Sequence, residues 1–288
     1  MDGIIIINKP KNCTSHDIVS KIKKTVHEKV GHTGTLDPNA TGVLPILVGK
    51  GTLLSKYLIN HDKTYKAILQ LGEKRSTADI EGEIIEKRDV DSEILKEENV
   101  KKVLESFIGK QEQIPPIYSA IKVNGKKLYE YARKNQEVKI EPRKIEIYDM
   151  KLISINNEEK CIEFEVKCSK GTYIRSLCED IAEKLNNVGY MKELEREQVG
   201  EFKIENAIKI DELDRINEKL ISLEDFFKNK KSIKLNNYKI NLLLNGVMLS
   251  YEEIDDIYKI YDESNKFIGI ATIEKGLLKR DIIIQGGF

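Results

Sequence analysis

Apolar residues recur along this chain in two rhythms, one of period two and one of helical period. Ile4–Ile7 is a continuous apolar run, short enough for a buried strand. Downstream, Ile18, Val19, Ile22 and Val26 recur at helical spacing, and Thr14-Ser15 with Asp17 supplies the N-terminal cap. Residues 52–60 predict another helix, and 64–71 alternate in part as a strand does. A helix is predicted over 92–107, with Ile94, Leu95, Val100, Val103, Leu104 and Phe107 on one side. Gln113–Tyr118 contains Pro115-Pro116 and must be loop or extended chain. Residues 145–155 and 161–168 read as a strand pair around the turn Asn156-Asn157. A helix over 173–185 places Ile174, Leu177, Ile181 and Leu185 on one face.

Around 228–237 the composition shifts to Lys and Asn, which predicts a linker. Beyond it, 232–288 reads as a short helix at Leu242–Leu244 followed by strands at 257–262, 267–273 and 277–284. Strands and helices do not alternate regularly, so the fold class is α+β rather than doubly wound.

Composition narrows the picture. A chain of 288 residues, 40% hydrophobic and 33% charged, is globular rather than disordered. No apolar run approaches the roughly 18 residues of a membrane span. Ile4–Ile7 is also shorter than the roughly 7–15 residues of a signal-peptide core. The four cysteines form no C-x-x-C pair, so a reducing, cytoplasmic setting is expected and no membrane association. Cys13, His16, His27 and His32 miss zinc-finger spacing, and no metal is expected.

Lys+Arg and Asp+Glu both total 48, which excludes a globally basic nucleic-acid footprint. Charge is uneven locally: Lys122–Lys144 holds eight basic residues against three acidic ones. Read alone, that run is a solvated face.

Residues 31–51, GHTGTLDPNATGVLPILVGKG, carry five of the eighteen glycines and only two charges, Asp37 and Lys50. Glycine permits strained backbone and close approach of another molecule. A lone carboxylate in charge-poor surroundings is costly unless paired. Asp37-Pro38 is equally good helix-start chemistry, so the residues leave open a capping Asp and a reactive one. The segment is not a phosphate loop, and no G-x-S-x-G or G-x-G-x-x-G accompanies it.

GHTGTLDPNATGVLP resembles the motif of the TruB family of tRNA pseudouridine synthases, in which the Asp is catalytic. Other segments match in order: Asn8-Lys9-Pro10 with Thr14-Ser15; Lys63-Thr64-Tyr65; Thr77-x-Asp79-x-Glu81-Gly82; Gln113-Ile114-Pro115-Pro116-x-Tyr118-Ser119-Ala120; and Lys170-Gly171-Thr172-Tyr173-Ile174-Arg175-Ser176-Leu177. The resemblance spans roughly residues 3–230, and the tail resembles a small PUA-type RNA-binding module. Asn12 stands where the family has glycine, and Asn tolerates the left-handed conformation. Leu194–Phe202 keeps the family's Arg196, Gly200 and Phe202 but adds acidic residues that would weaken phosphate contact if they faced RNA.

The resemblance implies a pseudouridine synthase-like mixed, mostly antiparallel sheet flanked by helices and loops, in a catalytic domain of residues 1–231. It also implies an RNA-gripping insert at about 113–145 and a PUA-like module at 232–288. The implied reaction isomerises uridine to pseudouridine at position 55 in the T loop of tRNA, by a monomer without cofactor. The target base must be flipped out of its loop first. Asp37 would be the catalytic carboxylate, Arg175 its cationic partner, and Tyr65 the ring stacked on the uracil. Tyr173 would close the pocket, and Asp79 and Leu194 would contact substrate. His32 would replace the extruded base, while Lys9 and the 122–144 run would meet phosphates. Competing readings are a guide-RNA-dependent synthase, a non-catalytic tRNA-binding or folding protein, and a hydrolase using Asp37 and Asp79.

Overall fold

The computed structural model describes residues 1–134 and 136–284. The chain opens on β1 (Gly3–Lys9), whose isoleucines are buried on both faces. Asn12 takes the expected left-handed turn at φ 63°. Thr14 then caps α1 (Ser15–Val26): its Oγ1 accepts from the Asp17 amide at 3.1 Å, and Asp17 accepts from the Thr14 amide at 2.8 Å. That helix places His16 and His27 about 16 Å apart, which rules out their sharing one metal ion.

β2 (Val30–His32) leads into the glycine-rich loop, and β3 (Thr41–Val48) leaves it. Pro38 begins no helix: the Ala40 amide donates to the Asp37 carbonyl, closing a turn. The helix expected over 52–60 is a 3-10 turn, Gly49–Leu54, followed by α2 (Ser55–Leu58). Gly51 sits so close to the Gly3 carbonyl that a Cβ would overlap it. β4 (Lys63–Leu71) follows, then a ribbon of β5 (Glu73–Arg75) and β6 (Ile84–Lys87).

The helix expected over 92–107 is shorter, α3 (Glu97–Glu105). The Asp91 carboxylate accepts from the Glu93 amide, and residues 94–96 make turn-type bonds instead. β7 (Gly109–Gln113) enters the insert, which holds a small hairpin of β8 (Lys122–Val123) and β9 (Lys126–Lys127) and the short α4 (Leu128–Ala132). β10 (Arg143–Asn156) and β11 (Cys161–Cys168) form the expected pair. α5 (Ile174–Lys184), β12 (Gly189–Val199), β13 (Phe202–Lys203), β14 (Ile208–Lys209), α6 (Ile216–Lys219) and α7 (Leu223–Phe226) complete this part.

The main sheet runs β14-β1-β3-β12-β4-β11-β10-β7, with β2 on β3 and β13 on β12. Only β1/β14 and β12/β3 are parallel, so the sheet is mixed and mostly antiparallel. β12 inserts between β3 and β4. The strand that leaves the Asp37 loop, β12 with Arg196, and the strand that carries Tyr65 are therefore neighbours.

The sheet faces differ. One packs α1, α3 and α5 into the main core. On the other, Glu195, Lys66, Glu165 and Lys151 align across β12, β4, β11 and β10 as a row of alternating charge. Glu195 and Glu197 thus point away from the core face that carries Tyr65 and Arg196, whereas Glu193 lines the crevice beside Asp37 and pairs with Lys11 at 2.9 Å.

The last part comprises β15 (Ser232–Lys234), α8 (Asn237–Leu244), β16 (Leu249–Ser250), β17 (Asp256–Tyr261), β18 (Phe267–Glu274) and β19 (Leu277–Ile283). Residues 285–288 lie outside the described residues. The Lys/Asn-rich stretch is not a free linker: β15 pairs with β17, and Ile233 and Leu235 are buried. This five-stranded sheet has its own core, but Phe267, Ile270 and Ile282 share a second cluster with Ile4, Ile6, Val43 and Leu47. An apolar seam therefore joins it to the back of β1 and β3.

Candidate active site

Asp37 sits at the apex of the loop between β2 and β3. The Ser15 hydroxyl, fixed at the start of α1, accepts from the Leu36 amide at 2.9 Å and lies 3.2 Å from its carbonyl. Lys9 Nζ donates to the carbonyls of Pro38 at 3.0 Å and Pro10 at 2.8 Å. Asn39 donates to Glu81 at 2.9 Å. The N-K-P and T-S segments thus brace the Asp37 loop. Lys9, expected at a phosphate, is instead fully buried, and its ammonium already donates to two carbonyls. Burial lowers its pKa, against the pull of Asp37.

Arg175 stands in the first turn of α5 and is 6% exposed. Its Nε lies 3.0 Å from Asp37 Oδ2, and its Nη2 donates to Oδ1 at 3.3 Å, a two-point ion pair. The same guanidinium reaches Asp79 Oδ2 at 3.7 Å and donates to the Thr77 and Tyr118 carbonyls at 3.3 and 3.0 Å. It therefore gathers the Asp37 loop, the 76–82 loop and the base of the insert at one point. Burial pushes the Asp37 pKa up from the ordinary carboxylate range, with Arg175 opposing and Asp79 adding to the rise.

Asp79 is itself held. Its Oδ1 accepts from Thr77 Oγ1 at 2.5 Å and from the Glu81 amide at 3.1 Å. A crevice runs between the two loops and β12, lined by Asp37, Asn39, Asp79, Ile80, Met191 and Leu194. Leu194 therefore shares a wall with Asp37.

Tyr65 is 8% exposed on β4 and within electrostatic reach of Asp37. Burial raises its pKa, while the charge of Arg196 draws it down. The phenol is thus protonated at neutral pH. Tyr173 is the N-cap of α5, half-buried, with its hydroxyl pKa raised by burial. His32 is half-buried on β2; burial and then Arg196 lower its pKa, so the ring is neutral at pH 7. Its Nδ1 has no hydrogen-bond partner among the described residues.

Three residues with no role read from the sequence complete the frame. Gln113, 4% exposed, accepts from the Tyr173 amide at 2.8 Å and donates to the Tyr173 carbonyl at 3.0 Å. This latch ties the base of the insert to the start of the helix that carries Arg175. Ser119 is buried beside the Tyr173 hydroxyl, and its own hydroxyl has no partner among the described residues. Arg196 is the largest fully buried side chain. Its sequence signal was the match to the family's Arg in the Leu194–Phe202 stretch, to which no role was attached.

The insert contrasts with this frame. Of its eight basic residues from Lys122 to Lys144, all but the half-buried Lys127 are exposed. Among the described residues only Lys139 is ion-paired, to Glu141. Asn135, within this run, lies outside the described residues.

Comparison with known proteins places this geometry. A family model described as "TruB family pseudouridylate synthase (N terminal domain)" matches residues 21–174. One described as "tRNA pseudouridylate synthase B C-terminal domain" matches 175–230. The boundary between them falls inside the Asp37–Arg175 site, and β12 of the second part lies within the sheet of the first. Two relatives named tRNA pseudouridine synthase B, from Clostridium tetani and Clostridium kluyveri, are 45% and 43% identical. The first covers 96% of both chains; the second covers 94% of this chain and 95% of its own. Among solved structures, a Cbf5-Nop10-Gar1 complex chain matches with TM-score 0.67 at 24% identity, covering 94% of this chain and 78% of its own. At that identity it supports the fold alone.

Proposed function

The chain belongs to the TruB family of tRNA pseudouridine synthases, and from that premise we propose that it modifies uridine 55 in the T loop, with Asp37 as the catalytic carboxylate. The family reaction isomerises uridine to pseudouridine in tRNA. The observation that carries the assignment to Asp37 is its two-point pairing with the buried Arg175.

Each step asks something of a side chain. The C1′–N1 bond breaks and its electron pair leaves with the uracil. The base turns, C5 bonds to C1′, the C5 proton is lost and N1 takes one up, so atoms balance without a cofactor. A carboxylate assists by attacking C1′ or by removing the C2′ proton, and either route needs it ionised. Arg175 favours that form against the burial that opposes it. Tyr65 offers the flipped base a stacking face and a protonated hydroxyl. Tyr173, Leu194 and Asp79 frame the remaining walls. The neutral ring of His32 fits the space a flipped base vacates, where stacking contributes about 1–3 kcal/mol.

The exposed cations of the insert fit the phosphates of a T stem-loop, so affinity should fall as salt rises. The β-rich segment 232–284 is a PUA-like second RNA contact in this reading. The protein acts as a cytoplasmic monomer without metal, and no helix of the described residues is long and apolar enough to cross a membrane. The test is nucleotide-resolution mapping of pseudouridine in an unmodified tRNA transcript and in an isolated T stem-loop. Product at position 55 in both supports the proposal. Product elsewhere, or only with added guide RNA, overturns it.

A further inference from the structure

Arg196 is 1% exposed and has no carboxylate within 4.0 Å among the described residues. A buried guanidinium without a counter-charge is costly, so its surroundings must compensate. Its Nε donates to the Val43 carbonyl at 2.7 Å and its Nη2 to the Gly34 carbonyl at 2.9 Å. Gly34 lies where the catalytic loop begins and Val43 where it ends, so one rigid fork holds both ends of the segment that carries Asp37. The fit is close on both sides. A Cβ at Gly34 would stand 3.4 Å from Nη1, and one at Gly42 would overlap the Arg196 backbone. Across β12 and β4, Arg196 is the direct partner of Tyr65.

We infer that Arg196 is a positioning residue for the isomerisation, a clasp that closes the two ends of the Asp37 loop onto the strand that carries Tyr65. The inference rests on the proposed pseudouridine synthase reading. Arg196 does not reach the crevice; it acts by fixing where Asp37 stands relative to Tyr65. Lysine cannot replace it fully, because one ammonium does not reproduce a planar fork over two divergent carbonyls. Its charge, unneutralised nearby, is also felt by Tyr65, His32 and Lys63, whose pKa falls to about 8 mainly through burial.

The test compares wild type, Arg196→Met and Arg196→Lys on a tRNA transcript, well below each protein's Tm, with hydrogen exchange on the same samples. Arg196→Met should lower kcat about a hundredfold, the scale of a small misplacement of a catalytic group, with KM for tRNA within about threefold. Exchange should accelerate at the Thr33 and Ala40 amides, which bond to Pro45 and Asp37, and not at Ile273, which packs in the separate core of the C-terminal sheet. Should Arg196→Met fail to fold, Arg196→Lys decides, with kcat about tenfold lower at unchanged KM. Either folded variant keeping kcat within about twofold of wild type, or losing activity through KM alone, overturns the clasp. A wild type inactive on tRNA overturns the underlying reading instead, and the exchange data still report whether Arg196 fixes the loop.

Discussion

β4 and β12 carry charge on both faces, and the two faces use it in opposite ways. On the core face, Asp37 and Asp79 meet the buried Arg175, and the buried Arg196 meets two carbonyls beside Tyr65, while Asp37 keeps part of its side chain in solvent. One residue away along the same strands, Lys66 and Glu195 sit in a row of alternating charge that water reaches. There, Lys66–Glu163 at 2.8 Å and Lys151–Asp149 at 2.8 Å are ordinary surface pairs. Such exposed pairs contribute about 0–1 kcal/mol each, whereas breaking a buried pair costs about 3–5 kcal/mol. Two carboxyls show the contrast. Burial raises the pKa of Asp37, while the hydrogen bond and charge of Lys151 lower that of Asp149. A period of two thus separates charge that organises chemistry from charge that keeps a sheet face wet.

Removing the guanidinium that joins three segments should break the buried side most severely. Arg175→Ala should lower turnover at least a hundredfold. It should also cost about 3 kcal/mol of stability, the lower end for a broken buried pair because Asp37 keeps some solvent. Single-turnover assays and denaturant melts check both. Unchanged turnover in a folded variant would refute the ion-pair role.

Tyr65→Phe keeps the ring and deletes the hydroxyl. Turnover should fall about a hundredfold, as for loss of a proton-transfer group, with tRNA affinity unchanged in a filter-binding titration. A loss of affinity instead would assign Tyr65 to binding alone.

Acidification sharpens the contrast further. Turnover should decline as pH falls through the raised pKa of Asp37, starting above the ordinary aspartate range. The sign for stability is opposite. A carboxyl whose folded pKa is raised binds more protons when folded, so its contribution to stability grows as pH falls. A pH–rate profile without an acid limb above the ordinary range would contradict the placement of Asp37. The smallest effect belongs to the wet face: Glu195→Ala should alter stability by no more than about 0.5 kcal/mol and leave turnover unchanged.

Local signals in the sequence translated well. Thr14 and Asp17 form the cap their spacing predicts, and the charge-poor glycine loop does isolate one carboxylate. What the sequence hid is either long-range or unusual for its residue type. No periodicity announces that β12 inserts between β3 and β4, so nothing set Arg196 beside the Asp37 loop. The resemblance put Lys9 at a phosphate, and because lysines are rarely buried nothing in the sequence marked it as a brace. Gln113 acts through main-chain atoms sixty positions away, which no motif spacing encodes. At 92–96 the apolar spacing was helical, but Asp91 bonding its own backbone drew the chain into turns.

The most direct test of the account is single-turnover conversion of tRNA by wild type and Asp37→Asn, with tRNA affinity measured on the same preparations. The account predicts pseudouridine from wild type alone and equal affinity for both. The substitution removes a charge but little shape from a loop held by Lys9, Ser15 and Arg196. Turnover by Asp37→Asn within tenfold of wild type would contradict the claim that this carboxylate does the chemistry.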